Sequence, residues 1–318
     1  MSFKILGTGS CLPQRSVSNE ELSQFLDTSD EWITQRVGIS ERRICTTETT
    51  TDLAAGAAIK ALEMSGTKPG ELDMILCATV SADHAAPSLA CSVQNRIEAT
   101  CPAMDLNAGC TGFIYMLETA AAFFALGYKR ILVVGAERLS RCADWSDRGT
   151  AVIFADGAGA MLLGPGDSYI ASKLVAKGGD SLLRIPSFHG KSPFYEVEPQ
   201  EPYIYMNGQE VFKFAVNAMC GDLTDVIKDA GLTMEDIAWV IPHQANARII
   251  DAAVRKLGIP AERCLKNIEK TGNTSAASVA ILADELFRSG KLKDGDLIAI
   301  SAFGAGLTSA ACVIKYQK

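Results

Sequence analysis

Histidine is scarce in this chain, and cysteine pairs with metal-binding spacing are missing from it. Only three of the 318 residues are histidines, namely His84, His189 and His243, so few residues can serve as an imidazole base. The ten cysteines include no CxxC pair, which excludes the common zinc-finger arrangements. We therefore expect no metal site, and we expect reduced thiols, as in a cytoplasm.

The chain also lacks long apolar runs, an excess of positive charge and extended polar tracts. Gly, Lys or Arg interrupts the longest apolar runs well before 18 residues, so no membrane-spanning helix is expected. The first residues, MSFKILG, do not have the pattern of a signal peptide, which favours a cytoplasmic location. A net charge of -7 argues against general nucleic-acid binding, and 48% hydrophobic residues indicate a globular protein with a large core.

A weak internal duplication of strands and helices runs through the chain. Two segments share the order strand, helix, strand, glycine turn, helix, strand. The strand candidates are apolar with little alternation, as in sheets that are covered on both faces. The first copy is predicted to have strands at 73–78, 102–106 and 130–134 and helices at 87–97 and 112–126. The second copy is predicted to have strands at 237–241, 264–268 and 296–301 and helices at 247–257 and 275–288.

The duplication predicts both the fold class and the domain organisation. Strands that alternate with helices favour an α/β fold with parallel or mixed sheets. Two copies of this size predict two similar halves packed around a pseudo-twofold axis, residues 1–166 and 167–318, with the boundary in GPGDS (164–168). The polar, proline-containing stretch 191–202 is interpreted as an excursion before the second copy.

A cysteine and an asparagine occupy corresponding turns of the two copies. Cys110 lies in NAGCTGF (107–113), between a strand and a long helix, and Asn273 lies in TGNTSA (271–276). Unpaired amides and the positive dipole end favour a thiolate at a helix start, and the flanking glycines let a substrate approach closely. Cys110 is therefore a candidate acyl-accepting nucleophile, with a buried apolar thiol as the alternative. For Asn273 the alternative is a helix N-cap.

His243 is the histidine best placed to act with Cys110. It follows the first strand of the second copy, in PHQAN (242–246), and sites in α/β proteins gather beyond the carboxyl ends of strands. A structural histidine is the alternative, while His84 and His189 lie in loop-like sequence. The last glycine turn, residues 303–307, follows a buried strand and offers backbone amides to an oxyanion. We find no Walker loop, no GxSxG and no GxGxxG in a βαβ context.

Several motifs, taken together and in order, make the chain resemble a known family. They are DTSDEWI (27–33), DRGT (147–150), DGAGA (156–160), PHQAN (242–246) and GNTSAAS (272–278). With these motifs the chain resembles β-ketoacyl-[acyl-carrier-protein] synthase III, of the thiolase-like superfamily, over essentially its whole length. The resemblance implies a layered αβαβα thiolase-like fold made of two duplicated halves, and it implies a homodimer.

The resemblance also implies a Cys-His-Asn triad formed by Cys110, His243 and Asn273. In the implied reaction, an acyl-CoA primer acylates Cys110 and CoA leaves. Malonyl-acyl carrier protein (malonyl-ACP) then loses carbon dioxide, while His243 and Asn273 donate hydrogen bonds to its thioester oxygen. The carbanion attacks the acyl group and gives 3-oxoacyl-ACP. The amides of Cys110 and Ala305 would hold the tetrahedral oxyanion, and family members usually have glycine where Ala305 stands.

The family further implies a binding path for CoA, with acyl-CoA as a substrate and no permanently bound cofactor. Adenine would stack between Trp32 and Arg148, because an indole face and a guanidinium plane suit a flat base. The other residues implied to line the pantetheine and phosphate path are Thr28, Arg36, Gly208 and Asn246.

Carrier-protein binding and primer choice complete the expectations. An acidic carrier protein requires a basic surface, for which the candidates are Lys213, Arg248, Arg255 and Lys256, with a solvated helix face as the alternative. Phe303 and Ala86 are expected at the acyl pocket. Ala86 stands where some acetyl-selective relatives carry a phenylalanine that enters the partner's pocket. A methyl group there would leave room for longer or branched primers.

Two other functions are compatible with the triad. A related synthase would prime a secondary metabolite of polyketide or quinolone type, with a different acceptor. A Cys-His-Asn thioester hydrolase would pass the acyl group to water and would not depend on a malonyl thioester. The intact triad argues against a third reading, an inactive binding subunit.

Overall fold

Strands and helices alternate along most of the chain in the computed structural model, which describes residues 2–187, 193–194 and 202–318. His189 and most of the predicted excursion at 191–202 lie outside the described residues. The α-helices are α1 (Asn19–Leu22), α2 (Asp30–Arg36), α3 (Thr50–Ser65), α4 (Leu89–Arg96), α5 (Gly112–Ala125), α6 (Gly208–Asp229), α7 (Ala247–Leu257), α8 (Ile268–Thr271) and α9 (Ala277–Arg288). The strands are β1 (Ser2–Cys11), β2 (Ser16–Ser18), β3 (Glu41–Arg43), β4 (Met74–Ala78), β5 (Ala103–Leu106), β6 (Ile131–Arg138), β7 (Asp156–Gly166), β8 (Tyr169–Gly179), β9 (Leu183–Arg184), β10 (Tyr205–Met206), β11 (Ile237–Pro242), β12 (Leu297–Gly304) and β13 (Gly306–Lys315).

Two large mixed sheets repeat one strand order. The first runs β1-β7-β6-β4-β5, with β6, β4 and β5 parallel and with antiparallel pairing at β7. The second runs β8-β13-β12-β11, with β12 and β11 parallel and with antiparallel pairing at β13. Strand for strand, the second sheet matches β1-β7-β6-β4 of the first. The predicted boundary between residues 166 and 167 falls between β7 and β8, and the division into two domains stays a prediction.

One predicted element of the second copy is wrong. Residues 264–268 do not form a strand, since only Cys264 pairs with Val240, through an isolated bridge. The physical cause lies in Gln244, a fully buried side chain whose amide oxygen accepts the backbone N–H groups of Asn267 and Ile268 at 3.1 and 3.2 Å. Those donors are no longer available to a strand partner, and α8 begins at Ile268 instead.

Helices cover and separate the two sheets, which gives the expected five αβαβα layers. Helices α3 and α4 pack on the outer face of the first sheet, α5 and α9 lie between the sheets, and α6 and α7 cover the second sheet. Neighbouring residues of β4 show how a strand serves two layers: Ile75 points to the outer core and Leu76 to the central core. Burial of both faces explains why the strands are apolar without alternation.

A close approach between α9 and the first sheet places the Asn273 turn next to the first half. A Cβ at Gly135 of β6 would lie 2.8 Å from the carbonyl oxygen of Ala276, so only glycine permits this spacing. Asp284 of α9 accepts hydrogen bonds from Thr8 and Ser10 of β1, both at 2.7 Å. The turn before α9 is thereby held against the carboxyl ends of the first sheet.

A helix that crosses a bilayer must be both long and apolar. Within the described parts of the chain, no helix combines the two properties needed to cross a membrane.

Candidate active site

Cys110 lies on a tight turn that joins β5 to α5. The turn is a 3₁₀ segment, Gly109–Thr111, and Gly109 has a left-handed φ of 55°. The Thr111 hydroxyl donates to the carbonyl oxygen of Ala108 at 2.6 Å and contacts the hydroxyl of Thr308 at 3.0 Å. Thr308 belongs to β13, so the second sheet helps to hold the turn that carries the nucleophile.

The Cys110 thiol is protonated in the resting site. Its pKa is raised to about 12, chiefly by burial; the Ser275 hydroxyl and the Cys110 amide lower this pKa, and the negative charge of Glu137 raises it. Desolvation therefore outweighs the positive end of the helix dipole, which favours a thiolate at this position. The nucleophile needs a proton acceptor or a change of surroundings before it reacts.

His243 follows β11 and is 2% exposed. Burial lowers its pKa to about 3, so the imidazole is neutral at physiological pH. Its Nδ1 lies 2.6 Å from the Ser278 hydroxyl, which also accepts the backbone N–H of Gln244 at 3.3 Å. A hydroxyl that already accepts one hydrogen bond offers its own hydrogen to Nδ1, which favours the tautomer with the ring hydrogen on Nε2.

Asn273 is clamped on both sides of its backbone. Its N–H donates to the carbonyl oxygen of Ile153 at 3.0 Å, and its carbonyl oxygen accepts from Ala155 at 2.9 Å. The side-chain Oδ1 accepts the N–H of Ser275 at 2.8 Å, and among the described residues the side-chain NH2 has no acceptor, which leaves it available as a donor. The N-cap alternative is wrong, since α9 starts at Ala277 with Ala276 as its cap residue.

The three triad residues line one cavity of about 190 Å³. Cys110 comes from the first half, and His243 and Asn273 come from the second. Phe303 lies on the same wall, with its ring edge-on to His243 and the ring centroids 5.4 Å apart. The structure thus brings together the residues that the sequence pattern places in two corresponding turns and at one strand end. Their chemical roles stay predictions at this point.

Of the six residues predicted to bind CoA, five line this cavity and one does not. Thr28 is absent from the wall, and its half-buried hydroxyl makes no hydrogen bond among the residues described. Arg148 lies directly over Trp32, with its guanidinium carbon 4.9 Å from the ring centroid, and it donates to the carbonyl oxygen of Asp27 at 2.6 Å. A base between them needs about 7 Å, two contacts of about 3.5 Å. The CoA residues found on the wall, besides Arg148, are Trp32, Arg36, Gly208 and Asn246.

The predicted oxyanion turn packs tightly on the nucleophile. A Cβ at Gly304 would lie 2.7 Å from the amide nitrogen of Cys110 and 3.0 Å from its Cβ. Ala305 faces Gly109, because a Cβ at Gly109 would meet the Ala305 nitrogen at 3.3 Å. Both Ala305 and Cys110 line a second, wider cavity. The two turns therefore pack against each other, as an oxyanion hole built from their amides requires.

Comparison with known proteins assigns the chain to a family. Residues 227–316 match the family model described as 3-oxoacyl-[acyl-carrier-protein (ACP)] synthase III C terminal, and residues 104–178 match the model described as 3-oxoacyl-[acyl-carrier-protein (ACP)] synthase III. A β-ketoacyl-[acyl-carrier-protein] synthase III from Clostridium acetobutylicum is 47% identical, over 100% of this chain and 99% of that relative. The chain belongs to the β-ketoacyl-[acyl-carrier-protein] synthase III family.

Solved structures agree with the synthase III assignment. The 3-oxoacyl-[acyl-carrier-protein] synthase III of Aquifex aeolicus VF5 is 44% identical with a TM-score of 0.91, covering 99% of this chain and 100% of that one. The priming β-ketosynthase of the R1128 polyketide pathway is 35% identical with a TM-score of 0.92, covering 100% and 97%. The thiolase-like fold is confirmed. The chain is a condensing acyltransferase of fatty acid biosynthesis, and the secondary-metabolite and hydrolase alternatives are not favoured.

The basic residues suggested for the carrier protein lie on the outside of α6 and α7. Lys213, Arg248, Arg255 and Lys256 are all exposed. Arg248 lies 5.8 Å from the ring centroid of Phe212, a residue of the cavity wall, so this part of the surface adjoins the cavity entrance. Ala86 is also exposed, but it lines neither cavity at Cys110 in the single chain. The carrier surface and the role of Ala86 stay predictions of the synthase III resemblance.

Three polar residues beside the triad are not predicted by the sequence reading. Ser278 holds the His243 ring, Ser275 adjoins Asn273, and Glu137 is a fully buried acid. Glu137 interrupts the apolar strand ILVVGAER, and a charged residue in a buried strand is the signal that points to it. The two serines lie inside the GNTSAAS motif, where nothing in their spacing distinguishes them from helix-start residues.

Proposed function

We propose that Cys110, His243 and Asn273 carry out a two-stage condensation in which an acyl-CoA primer is extended by malonyl-ACP. One observation supports these roles above the others: the nucleophile Cys110 and the two neutral donors His243 and Asn273 line a single cavity. Acyl-CoA is a substrate in this scheme, and no cofactor is bound permanently. The products are 3-oxoacyl-ACP, CoA and carbon dioxide.

In the first stage Cys110 attacks the thioester carbonyl of acyl-CoA. The new oxyanion forms beside the amides of Cys110 and Ala305, whose neighbourhood across Gly109 and Gly304 supports this role. Collapse of the tetrahedral intermediate breaks the bond to the CoA sulfur and leaves the acyl group on Cys110; the proton lost by the Cys110 thiol is balanced by the proton that the departing CoA thiolate takes up from solvent. Once acylated, the Cys110 sulfur can no longer carry the charge of a thiolate, which suits its apolar surroundings.

In the second stage the malonyl group loses carbon dioxide and becomes an enolate. Negative charge then develops on the thioester oxygen, where Nε2–H of His243 and the amide NH2 of Asn273 would donate. His243 suits this task because burial keeps it neutral and Ser278 orients the ring through Nδ1. The carbanion attacks the acyl carbonyl and releases Cys110. Neutral donors stabilise the enolate oxygen without forming a tight ion pair that would make the enolate unreactive.

Acylation of Cys110 is the direct test of the scheme. After mixing with acyl-CoA, intact-protein mass spectrometry should show one added acyl group, and peptide mapping should place it on Cys110. Cys110→Ser should give no adduct. Cys91→Ser is the matched control, because Cys91 is an exposed thiol and its loss should change nothing. An adduct that persists in Cys110→Ser, or that maps to another cysteine, contradicts the proposal.

CoA binding is proposed to involve Trp32, Arg36, Arg148, Gly208 and Asn246, with Thr28 behind the wall. Adenine insertion requires Arg148 to leave its present position over Trp32, where the separation is 4.9 Å. The exposed bond from Arg148 to Asp27 is weak enough to be exchanged for contact with a base, because solvent screens it. The adenine would then replace the guanidinium on one face of the indole.

Trp32→Ala should therefore raise KM for acyl-CoA about tenfold and leave kcat almost unchanged, since base stacking on an aromatic ring contributes about 1–3 kcal/mol. Steady-state kinetics with acyl-CoA and with acyl-pantetheine check this, because the pantetheine substrate carries no adenine. KM for acyl-pantetheine should be the same in both proteins. Equal effects on the two substrates would show that Trp32 does not bind the base.

The proposal also covers assembly, location and partners. Strand β5 forms an edge of the first sheet and leaves Met104 39% exposed, as expected where a second copy pairs in a homodimer. In such a dimer Ala86 would reach the partner's acyl pocket and, with Phe303, leave room for longer or branched primers.

All ten cysteines are free thiols, which supports a cytoplasmic location. The exposed Lys213, Arg248, Arg255 and Lys256 would guide the acidic carrier protein to the cavity entrance.

A further inference from the structure

Gln244 carries a fully buried amide and follows His243 directly in the sequence. It lies between β11 and α7, and its side chain is 0% exposed. Its amide oxygen accepts the backbone N–H groups of Asn267 at 3.1 Å and of Ile268 at 3.2 Å, and its NH2 donates to the carbonyl oxygen of Pro242 at 2.7 Å. These bonds to backbone groups fix the orientation of the amide, since a rotation by half a turn would place donor against donor and acceptor against acceptor.

One of these bonds reaches the strand end that carries His243. Pro242 is the last residue of β11 and directly precedes the histidine, so the buried amide holds the backbone at that point. The His243 N–H donates to the carbonyl oxygen of Ser301 in β12 at 2.7 Å. The backbone N–H of Gln244 donates to the Ser278 hydroxyl at 3.3 Å, and the same hydroxyl lies 2.6 Å from Nδ1 of His243. Gln244 therefore acts on both the backbone and the ring of the histidine.

The bonds to the amide oxygen reach the segment that leads into Asn273. Asn267 is the cap residue of α8 and Ile268 is its first residue, and this single helical turn ends two residues before Asn273. The carbonyl oxygen of Asn267 accepts the N–H and the hydroxyl of Thr271, both at 3.1 Å. The carbonyl oxygen of Ile268 accepts the N–H of Gly272 at 3.0 Å. A displacement at the start of α8 is therefore passed on to the turn that carries the asparagine.

We propose that Gln244 positions the two enolate donors relative to each other, because one buried amide ties the His243 strand end to the Asn273 turn. The proposal rests on the donor roles of His243 and Asn273 described above. Two donors that act on one oxygen need a fixed separation, and a shift of about 1 Å at such a group costs about 10²-fold in rate. Gln244 is a positioning residue in this scheme, because it lines neither cavity at Cys110.

The backbone groups around this side chain explain why it is a glutamine. The start of α8 presents two N–H donors to it, and Pro242 presents one carbonyl acceptor. An aliphatic side chain would leave all of these groups unpaired in the interior, and a carboxylate would place an oxygen against the Pro242 carbonyl. Asparagine has the same amide on a side chain that is one methylene shorter. The position therefore requires an amide at this reach, and its partners are the two segments that hold the donors.

The test compares the two stages in Gln244→Met, which keeps an unbranched side chain but removes the amide. Release of carbon dioxide from malonyl-ACP with pre-acylated enzyme should fall about 10²-fold, while the burst of CoA from acyl-CoA stays almost unchanged. Gln94→Met is the matched control, because Gln94 is a half-buried glutamine whose amide donates to the carbonyl oxygen of Cys101 at 2.8 Å, outside both cavities. The control should lose thermal stability without changing the ratio of the two rates.

Combination with His243→Ala shows whether both donors are positioned. In that background Gln244→Met should still lower the release of carbon dioxide, about tenfold, because the Asn273 amide is displaced as well. If the second substitution causes no further fall, Gln244 acts on His243 alone and the proposal is overturned. Equal losses in the two stages of Gln244→Met, or a loss of thermal stability alone, overturn it too.

Gln244→Asn provides a second variant that does not depend on the folding of Gln244→Met. It keeps a buried donor and acceptor, but its shorter side chain cannot reach both Pro242 and the start of α8. Release of carbon dioxide should again fall while the CoA burst stays almost unchanged. Release at the natural rate in Gln244→Asn contradicts the proposal. If His243→Ala and Asn273→Ala themselves release carbon dioxide at the natural rate, the proposed function fails instead, and the two failures are told apart.

Discussion

Replacing His243 by alanine should slow the condensation about 10²–10³-fold and leave acylation of Cys110 almost unchanged. Loss of a single preorganised donor to a developing oxyanion has an effect of this size. The imidazole is buried, neutral and held through Nδ1, so its free N–H is available only to the enolate stage. Asn273→Ala should have the same selectivity, because its amide NH2 is the second donor.

The two stages can be measured separately in this variant. Release of CoA from acyl-CoA reports acylation, and release of carbon dioxide from malonyl-ACP with pre-acylated enzyme reports the second stage. His84→Ala serves as the control, since His84 is exposed and outside both cavities. An equal fall in both stages would mean that His243 acts as the base for the thiol, contrary to the roles assigned above.

The lowered pKa of His243 also predicts how the decarboxylation rate of the natural protein depends on pH. Its pKa is lowered to about 3, so the ring stays neutral between pH 5 and 8 and takes a second ring proton, on Nδ1, only as the pH falls towards 3. In the unfolded chain the ring takes up a proton near its ordinary value of 6.5, so this group destabilises the fold as the pH falls below that value. With pre-acylated enzyme, the decarboxylation rate should show no transition of an imidazole at pH 5–8.

Replacing Gly304 by alanine should lower the acylation rate about 10²-fold. The added Cβ would lie 2.7 Å from the Cys110 nitrogen and 3.0 Å from its Cβ, distances that force the nucleophile turn to move. A shift of about 1 Å at a reacting group costs about 10²-fold in rate. Overpacking of this kind also lowers the free energy of unfolding by about 1–3 kcal/mol. Both effects come from one methyl group.

Burst kinetics and thermal unfolding measure the two effects in the Gly304→Ala protein. Gly70→Ala is the matched control, because a Cβ at Gly70 meets nothing within 4 Å. The control should keep its rate and its Tm. A Gly304→Ala protein that acylates at the rate of the natural protein would show that the turn tolerates displacement, and the close packing would then have no catalytic meaning.

Much of the fold was predictable because the strands and helices alternate strongly and are punctuated by glycine turns. Helix α7 was predicted with the bounds it has, residues 247–257, and the other repeat helices differ by a few residues at their ends. The strand at 264–268 could not be rejected from its apolar pattern. Its absence depends on the amide oxygen of Gln244, which lies more than 20 residues earlier and takes the strand's donors only after folding.

The positions of the site residues were predictable from the sequence, but their protonation states and contacts were not. The positions of Cys110, His243 and Asn273 follow from the repeat and the scarcity of histidine, and the structure places all three on one cavity. The protonation of Cys110 was not predictable, because the sequence shows the helix start but not the depth of burial that raises the thiol pKa. The contact between Ser278 and the His243 ring joins separate segments of the chain, which residue spacing does not encode.

The position of β13 has a consequence for when activity can arise during synthesis. This strand fills the middle of the second sheet, between β12 and β8, although every other helix and strand described precedes it in the sequence. It also carries Thr308, which contacts the nucleophile turn. A nascent chain that has exposed Cys110, His243 and Asn273 therefore still lacks a closed second sheet. Cys110 is synthesised early, but we expect it to react only after β13 has left the ribosome and completed the second sheet.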